Sequence, residues 1–209
     1  MLILMTVNYF AAAQEAGLET VEEVLAVVGN TPILYSDVEL MELLGIVDPE
    51  PGEPSATYRS RLLEARIRLE VEFRDLEESG LLYRLEVDPT GVRDRLVARG
   101  GGVEVVGPRL ASKGLSLADA DELALRLAAV DAYVQQRLRS RVAITMEEIE
   151  GAYQQLLVDE IATTDEALPP LASVREQLTT LLVERKLNQE IERWLELAVT
   201  RQEVTRFSR

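Results

Sequence analysis

The strongest constraint on the fold comes from the C-terminal stretch between Leu168 and Arg209. Apolar side chains recur there every three or four positions, which predicts one long amphipathic helix. A strand candidate, Glu203 to Phe207, follows this helix. The apolar face of the helix consists of Leu171, Val174, Leu178, Leu181, Leu187, Ile191, Trp194 and Ala198. Such a face has to pack against other elements, so Trp194 is expected to lie in the core.

The packing partner is expected near the N terminus. Two strand candidates, Val24 to Val28 and Pro32 to Tyr35, flank Gly29-Asn30-Thr31 and predict a hairpin. A helix is then expected to begin at Ser36, because Ser36 and Glu39 have the spacing of a capping box. Pairing of this hairpin with the C-terminal strand would close the domain through contacts between the two ends of the chain.

Between the two ends the sequence predicts a series of helices, whose limits are marked by capping residues, prolines and glycines. A proline-rich loop at 47–56 comes first, and a helix over 57–79 that Gly80 ends follows it. The next helix is capped by Asp88 with Pro89 at its first position, and a short helix lies between 103 and 115, where Gly107-Pro108 breaks or begins it. A helix of about 23 residues follows Ser116, and a capping box at Thr145 and Glu148 begins another helix. The predicted fold class is mainly α, with about six or seven helices and a small β-sheet formed by the N-terminal hairpin and the C-terminal strand.

The composition excludes more functions than any motif adds. The 209 residues include no histidine and no cysteine, so zinc, haem and disulfide sites and histidine- or cysteine-dependent catalysis have no side chains to carry them. Catalysis by carboxylates alone remains open among the 37 acidic residues, but no pair stands out. We therefore predict no enzyme activity, no catalytic residues, no cofactor and no metal. The net charge of -15 also argues against nucleic-acid binding.

An apolar run at the N terminus, residues 2–13, has the length and the small-residue ending of a secretory signal peptide. It is too short to span a bilayer, and it lacks the usual preceding basic residues. We expect residues 1–13 to be the remnant of such a signal, with cleavage after Ala13, so that the protein is exported and has no integral membrane span. Residues 14–209 are then expected to form a single domain.

Four short segments resemble the core of the SurA-like periplasmic chaperones. They are VLAVVGN at 24–30, ILYSDV at 33–38, ITMEEI at 144–149 with Tyr153, and KLN at 186–188 with Trp194-Leu195. In that family a parvulin prolyl-isomerase domain is inserted after the third segment, whereas here only a short linker, 159–167, lies at that place. The resemblance therefore implies a chaperone domain without its isomerase, made of residues 21–158 and the returning helix and strand, 168–209.

The same resemblance implies a function in the bacterial cell envelope. The protein would be an ATP-independent periplasmic holdase that binds unfolded exported or outer-membrane proteins and has no prolyl-isomerase activity. An alternative from another class is a cell-envelope structural or assembly factor with one dedicated protein partner. A residual prolyl isomerase is the least favoured interpretation. The C-terminal helix and strand could also pair with the hairpin of a second copy, which would give a domain-swapped homodimer.

A holdase needs exposed apolar surface on a soluble body. The apolar residues in excess of one helical face are therefore the candidates for client binding. They are Leu40, Met41, Leu43, Leu44, Leu81, Leu82 and Tyr83. The same residues could instead complete the core, because local sequence does not separate inner from outer faces. Tyr35 and Phe207 are expected to pack between the hairpin and the returning strand.

Overall fold

The computed structural model of the chain describes residues 22–161 and 169–207. Within these ranges the chain forms seven α-helices and three strands. In chain order they are β1 Val24–Val28, β2 Thr31–Leu34, α1 Tyr35–Leu43, α2 Ser55–Glu78, α3 Pro89–Arg99, α4 Val103–Ala111, α5 Leu117–Tyr133, α6 Met146–Ile161, α7 Leu171–Arg201 and β3 Val204–Arg206. The predicted mainly helical fold with a small sheet is confirmed. The predicted signal remnant, residues 1–13, and most of the predicted linker lie outside the described residues.

The sheet joins the two ends of the chain as the sequence predicts. All pairs are antiparallel, and the strand order is β2-β1-β3, so the N-terminal hairpin receives the C-terminal strand on its free edge. The hairpin turn contains Gly29 at a φ of +56°. A Cβ atom there would lie 2.9 Å from the guanidinium carbon of Arg74, a residue of α2 that also donates to Thr31 Oγ1 at 2.9 Å. The turn is therefore packed directly onto the central helix.

The first helix begins one residue earlier than predicted, and its capping box is different. Leu34 is the N-cap, and its backbone N–H donates to the Asp37 carboxylate at 2.8 Å. The predicted box of Ser36 and Glu39 is therefore wrong. Glu39 instead accepts from Lys113 Nζ at 2.7 Å, so a contact distant in the sequence replaces the local cap.

The helix starts predicted at Asp88 and at Thr145 are confirmed, whereas α2 begins at Ser55, two residues before the predicted start. Asp88 caps α3 by accepting from the Gly91 N–H at 2.9 Å, and Thr145 and Glu148 form a reciprocal capping box before α6. The dipeptide Gly107-Pro108 neither breaks nor begins a helix, because both residues lie inside α4. A proline there removes one backbone donor, and the buried side chains of Val106 and Leu110 hold the helix in place through packing.

Helix α2 is the central element of the fold. Its buried residues contribute to each of the hydrophobic clusters of the described chain: Leu62 and Leu69 to the first, Phe73 and Leu76 to the second, and Ile67 and Val71 to the third. Because these positions lie on two opposite sides of the helix, at about 100° per residue, α2 packs against other elements on both sides. Its C-terminal half leads towards α5 and α7, where the candidate site lies.

Helix α2 also carries charged side chains into this interior. Glu70 accepts from Arg66 at 2.8 Å and from Arg126 of α5 at 3.0 Å. Burial opposes ionisation of Glu70, but the two guanidinium groups outweigh it and hold the pKa of Glu70 below its ordinary value. For Glu72, burial outweighs the single pairing with Arg68, and the pKa is raised. Folding thus favours the ionised form of Glu70 and disfavours the ionised form of Glu72.

Helix α7 does not use one continuous apolar face. Leu178, in its first half, and Leu187, Trp194 and Ala198, in its second half, are buried. Leu178 and Leu187 are nine positions apart, which places them on opposite sides of a helix with about 100° per residue. The first half packs on α6 and the second half on α2, so the buried side changes along the helix. Leu181 is 61% exposed as a result, and its predicted place in the core is wrong.

The prediction for Phe207 is also incorrect in part. Its backbone N–H donates to the Leu25 carbonyl at 2.9 Å, so the chain ends pair, but its side chain is 53% exposed. Tyr35 is half-buried and lies 5.9 Å from the Arg59 guanidinium, measured from the ring centroid. Across residues 22–161 and 169–207, no helix combines the length and apolar character that crossing a membrane requires.

Candidate functional site

A groove with an apolar floor lies where the C-terminal end of α2, the end of α5 and the second half of α7 meet. It has a volume of about 560 Å³. Its lining comes from these elements and the turns that follow them: Asp75, Glu78, Ser79, Leu81, Tyr133, Leu138, Arg141, Glu190, Arg193, Trp194, Leu197 and Arg201. We call this feature the Trp194 groove.

The floor of the Trp194 groove is a pair of aromatic rings. The ring centroids of Tyr133 and Trp194 are 4.6 Å apart, and the ring planes are tilted by 50°. The indole N–H of Trp194 donates to Asp75 Oδ2 at 2.8 Å, so its polar atom is satisfied inside the protein. Both rings are mostly buried, and their remaining surface faces the groove. The floor is therefore rigid and apolar.

The walls add aliphatic surface to this floor. Leu81 packs against the aromatic cluster from the turn after α2, and Leu138 packs against it from the end of α5. Leu197 lies one helical turn after Trp194 on α7 and is 50% exposed. A half-exposed leucine beside an aromatic floor is surface that a bound apolar side chain could cover.

A π-helical turn places the residues of one wall. Residues Val134–Leu138 at the end of α5 form this turn, and a 3₁₀ turn, Arg139–Arg141, follows it. The wider turn inserts one extra residue, so Leu138 rather than Arg137 takes the buried position below Tyr133. Arg137 and Arg141 are left on the exposed side. Pi-helical turns of this kind occur frequently at functional sites.

The carboxylates on the rim are already engaged by basic or amide groups of this chain. Asp75 accepts from Arg201 at 2.5 Å, and Glu190 pairs with Arg193 at 2.6 Å. Glu78 pairs with Arg74 at 2.6 Å and also accepts from the Gln202 side-chain amide at 2.7 Å.

Fewer of the arginine side chains at and near the groove have hydrogen-bond or ion-pair partners. Across the part of the chain that the structure describes, Arg141 and Arg137 make no side-chain hydrogen bond or ion pair. Both act electrostatically on Tyr133: burial raises the pKa of this tyrosine, Arg141, Arg137 and Arg201 partly oppose the rise, and Asp75 adds to it. Three guanidinium groups and one carboxylate thus act on the hydroxyl end of the floor.

The residues proposed from the sequence for client binding are divided between two places. Leu40, Met41 and Leu44 are buried in the first hydrophobic cluster, and Leu43 packs against the same cluster. Leu81 and Leu82 pack against the aromatic cluster, and Leu81 lines the Trp194 groove. Tyr83 is 85% exposed. Of the seven residues, only Leu81 lines the groove, while Leu82 is half-buried and Tyr83 is exposed.

Sequence reasoning did not find most of the groove. Tyr133, Leu197 and Arg141 were not singled out, Leu138 was assigned only to the apolar face of the helix after Ser116, and Trp194 was assigned only to the core. Trp194 is in fact both a core residue and the floor of the groove. The spacing of Trp194 and Leu197 was a usable signal, because Leu197 lies outside the predicted apolar face yet next to it.

The Trp194 groove is an accessible cavity lined by apolar and charged side chains. Among residues 22–161 and 169–207, no group of three or more acidic, histidine or cysteine side chains is placed to hold a metal ion. No protein-family model and no curated protein matches the chain. The Trp194 groove itself therefore carries the functional inference.

Proposed function

We propose that this protein is a SurA-like holdase of the bacterial cell envelope that binds unfolded exported or outer-membrane proteins without ATP. It has no enzyme activity in this account and needs no cofactor. The single observation that supports the proposal best is the Trp194 groove, an accessible apolar channel with a rigid aromatic floor on a strongly charged protein. Weak and reversible binding of apolar segments is the activity that such a surface supports.

The dimensions of the groove suit an extended segment rather than a folded partner. Its α7 wall runs from Glu190 to Arg201, a distance of about 16 Å at 1.5 Å per helical residue. An extended chain advances about 3.3 Å per residue, so the groove accommodates about five residues. A stable interface between folded proteins generally needs a much larger area. Short apolar stretches of an unfolded chain are therefore the best-fitting ligands.

The proposal is tested by aggregation assays with the full chain in the absence of nucleotide. The clients are a chemically unfolded outer-membrane β-barrel protein and two unrelated unfolded proteins, each mixed with equimolar protein while light scattering is recorded. We expect slower aggregation of all three clients, because an apolar groove recognises composition rather than one sequence. Serum albumin at the same concentration is the control for non-specific protein effects.

The outcomes separate the two classes of function. Suppression limited to one envelope protein would replace the holdase with the alternative, a cell-envelope factor that has one dedicated partner. No effect on any client would contradict the holdase proposal altogether.

A further inference from the structure

The charges around the Trp194 groove point to a more specific ligand than any apolar chain. Every carboxylate on its rim is paired within the protein, whereas the guanidinium of Arg141 has no hydrogen-bond or ion-pair partner among the described residues. Arg201 and Arg193 are paired, but their side chains remain 53% and 67% exposed. The rim can therefore accept further negative charge and has little capacity for positive charge.

The positions of these arginines bear on where that negative charge lies in the ligand. Arg193 and Arg201 stand eight residues apart on α7, about 12 Å along the helix axis. Arg141 lies on the opposite wall, beyond the end of α5. Basic groups at both ends and on both walls match acidic side chains distributed along a segment, whereas a chain terminus offers one carboxylate at one end.

We propose, on the basis of the function proposed above, that the Trp194 groove prefers extended segments in which apolar residues alternate with aspartate or glutamate. The apolar side chains lie on Tyr133, Trp194 and Leu197, and the acidic side chains reach the arginines of the rim. A carboxylate that meets an exposed guanidinium gains a charge-assisted hydrogen bond. A segment rich in lysine would meet the guanidinium groups of Arg141, Arg193 and Arg201, and carboxylates that already have partners.

The preference can be measured through Trp194, the only tryptophan of the chain. Its indole forms the groove floor, so a bound peptide changes its environment and its fluorescence. The probes are peptides capped at both ends: the acidic peptide LDLELD, its amide isostere LNLQLN and the basic LKLKLK. A fourth probe is LNLQLN with a free C-terminal carboxylate. All are titrated into the full chain at low ionic strength.

We expect the acidic peptide to bind about tenfold more tightly than its capped amide isostere, and the basic peptide to bind most weakly. The substitution Arg141→Gln is expected to bring the first two affinities to within about threefold of each other. Arg95→Gln is the matched control, because Arg95 is also exposed and without an ion pair among the described residues but lies on α3, outside the groove. Arg95→Gln is expected to keep the full preference for the acidic peptide over its amide isostere.

The alternatives give distinct results. Equal binding of acidic and amide peptides would overturn this inference and leave the holdase in place. Equal tightness of the acidic peptide and the peptide with a free C terminus would also overturn it, because a terminal carboxylate would then suffice. An acidic preference that stays at about tenfold in Arg141→Gln would overturn the inference, because Arg141 is the rim guanidinium that has no partner among the described residues. Absence of any peptide binding, together with no suppression of aggregation, would contradict the proposed function itself.

Discussion

Replacing Trp194 with alanine is expected to lower the free energy of unfolding by about 4 kcal/mol, because a large buried ring is removed from a packed cluster. The change removes the contact with Tyr133, 4.6 Å away between ring centroids, and opens a cavity among Phe73, Leu76 and Leu187. It also leaves the buried Asp75 carboxylate with Arg201 as its remaining side-chain partner. Urea unfolding followed by far-UV circular dichroism measures the loss.

Trp194→Phe is the control for this prediction. Phenylalanine keeps most of the ring contact and loses only the indole donor to Asp75, so about 1–2 kcal/mol is the expected cost. A loss below about 1 kcal/mol for Trp194→Ala would mean that this residue is a surface residue and not the floor of the groove. Trp194→Ala is therefore expected to lose more stability than Trp194→Phe, and this order tests the prediction as well as the size of each loss does.

The second large effect is expected at Glu70. Replacing it with glutamine should destabilise the protein by about 3 kcal/mol at neutral pH, because the Arg66 guanidinium is itself buried and would lose its closest counter-charge. The remaining carboxylate within reach of Arg66 is Asp37, at 3.4 Å. Arg126 would lose its contact with Glu70 as well. Equilibrium unfolding at neutral pH, compared with wild type, checks the value.

Glu72→Gln is the matched control for Glu70→Gln, since both residues lie on α2 and both are buried. The raised pKa of Glu72 means that its ionised form is disfavoured by folding, so removing the charge is expected to leave stability unchanged or to increase it slightly. Arg68, its partner, is 40% exposed and remains solvated without the carboxylate. A large loss for Glu72→Gln, or none for Glu70→Gln, would contradict this assignment of the charges.

The pH dependence of stability follows from the directions of the Glu70 and Glu72 pKa shifts. The pKa of Glu70 is lowered by folding, so its contribution is fully present above the ordinary value of 4.5 and is lost as the pH falls through the folded-state pKa. The stability difference between wild type and Glu70→Gln is therefore expected to shrink in acid. The penalty from Glu72 is present at neutral pH and disappears as the pH falls through its raised pKa.

The fold could be predicted from the sequence wherever a local signal decided the structure. The hairpin around Gly29, the cap at Asp88 and the box at Thr145 and Glu148 each rest on neighbouring residues, and each is present. The misplaced box at Ser36 shows the limit of such signals. Asp37 has the same three-residue spacing from Leu34 and supplies the cap, whereas Glu39 pairs with Lys113, a residue distant in the sequence.

The candidate site could not be predicted, because nonlocal geometry builds it. A 3.6-residue period contains no sign of the π-helical turn Val134–Leu138 that shapes one wall of the groove. The same period predicts one continuous apolar face along α7, whereas the change of packing partner along this helix leaves Leu181 exposed. The apolar residues of α1 were expected to form an exposed surface for clients. Instead, Leu40, Met41 and Leu44 are buried in the first hydrophobic cluster. Inner and outer faces became distinguishable only with the packing of α2 against α5 and α7.

The most direct test of the central claim, that the Trp194 groove binds unfolded clients, compares two substitutions on α7. Leu197 and Val199 are 50% and 46% exposed, and only Leu197 lines the groove. Leu197→Glu and Val199→Glu add the same charge at surface positions two residues apart, so similar thermal midpoints are expected. Suppression of client aggregation is then measured for each variant.

We predict that Leu197→Glu requires about fivefold more protein than wild type for the same suppression, because it replaces apolar surface of the groove with a carboxylate that can pair with Arg193 and Arg201, each four residues away on α7. Val199→Glu is expected to match wild type. Equal suppression by Leu197→Glu and wild type, or equal losses for both variants, would contradict binding in this groove.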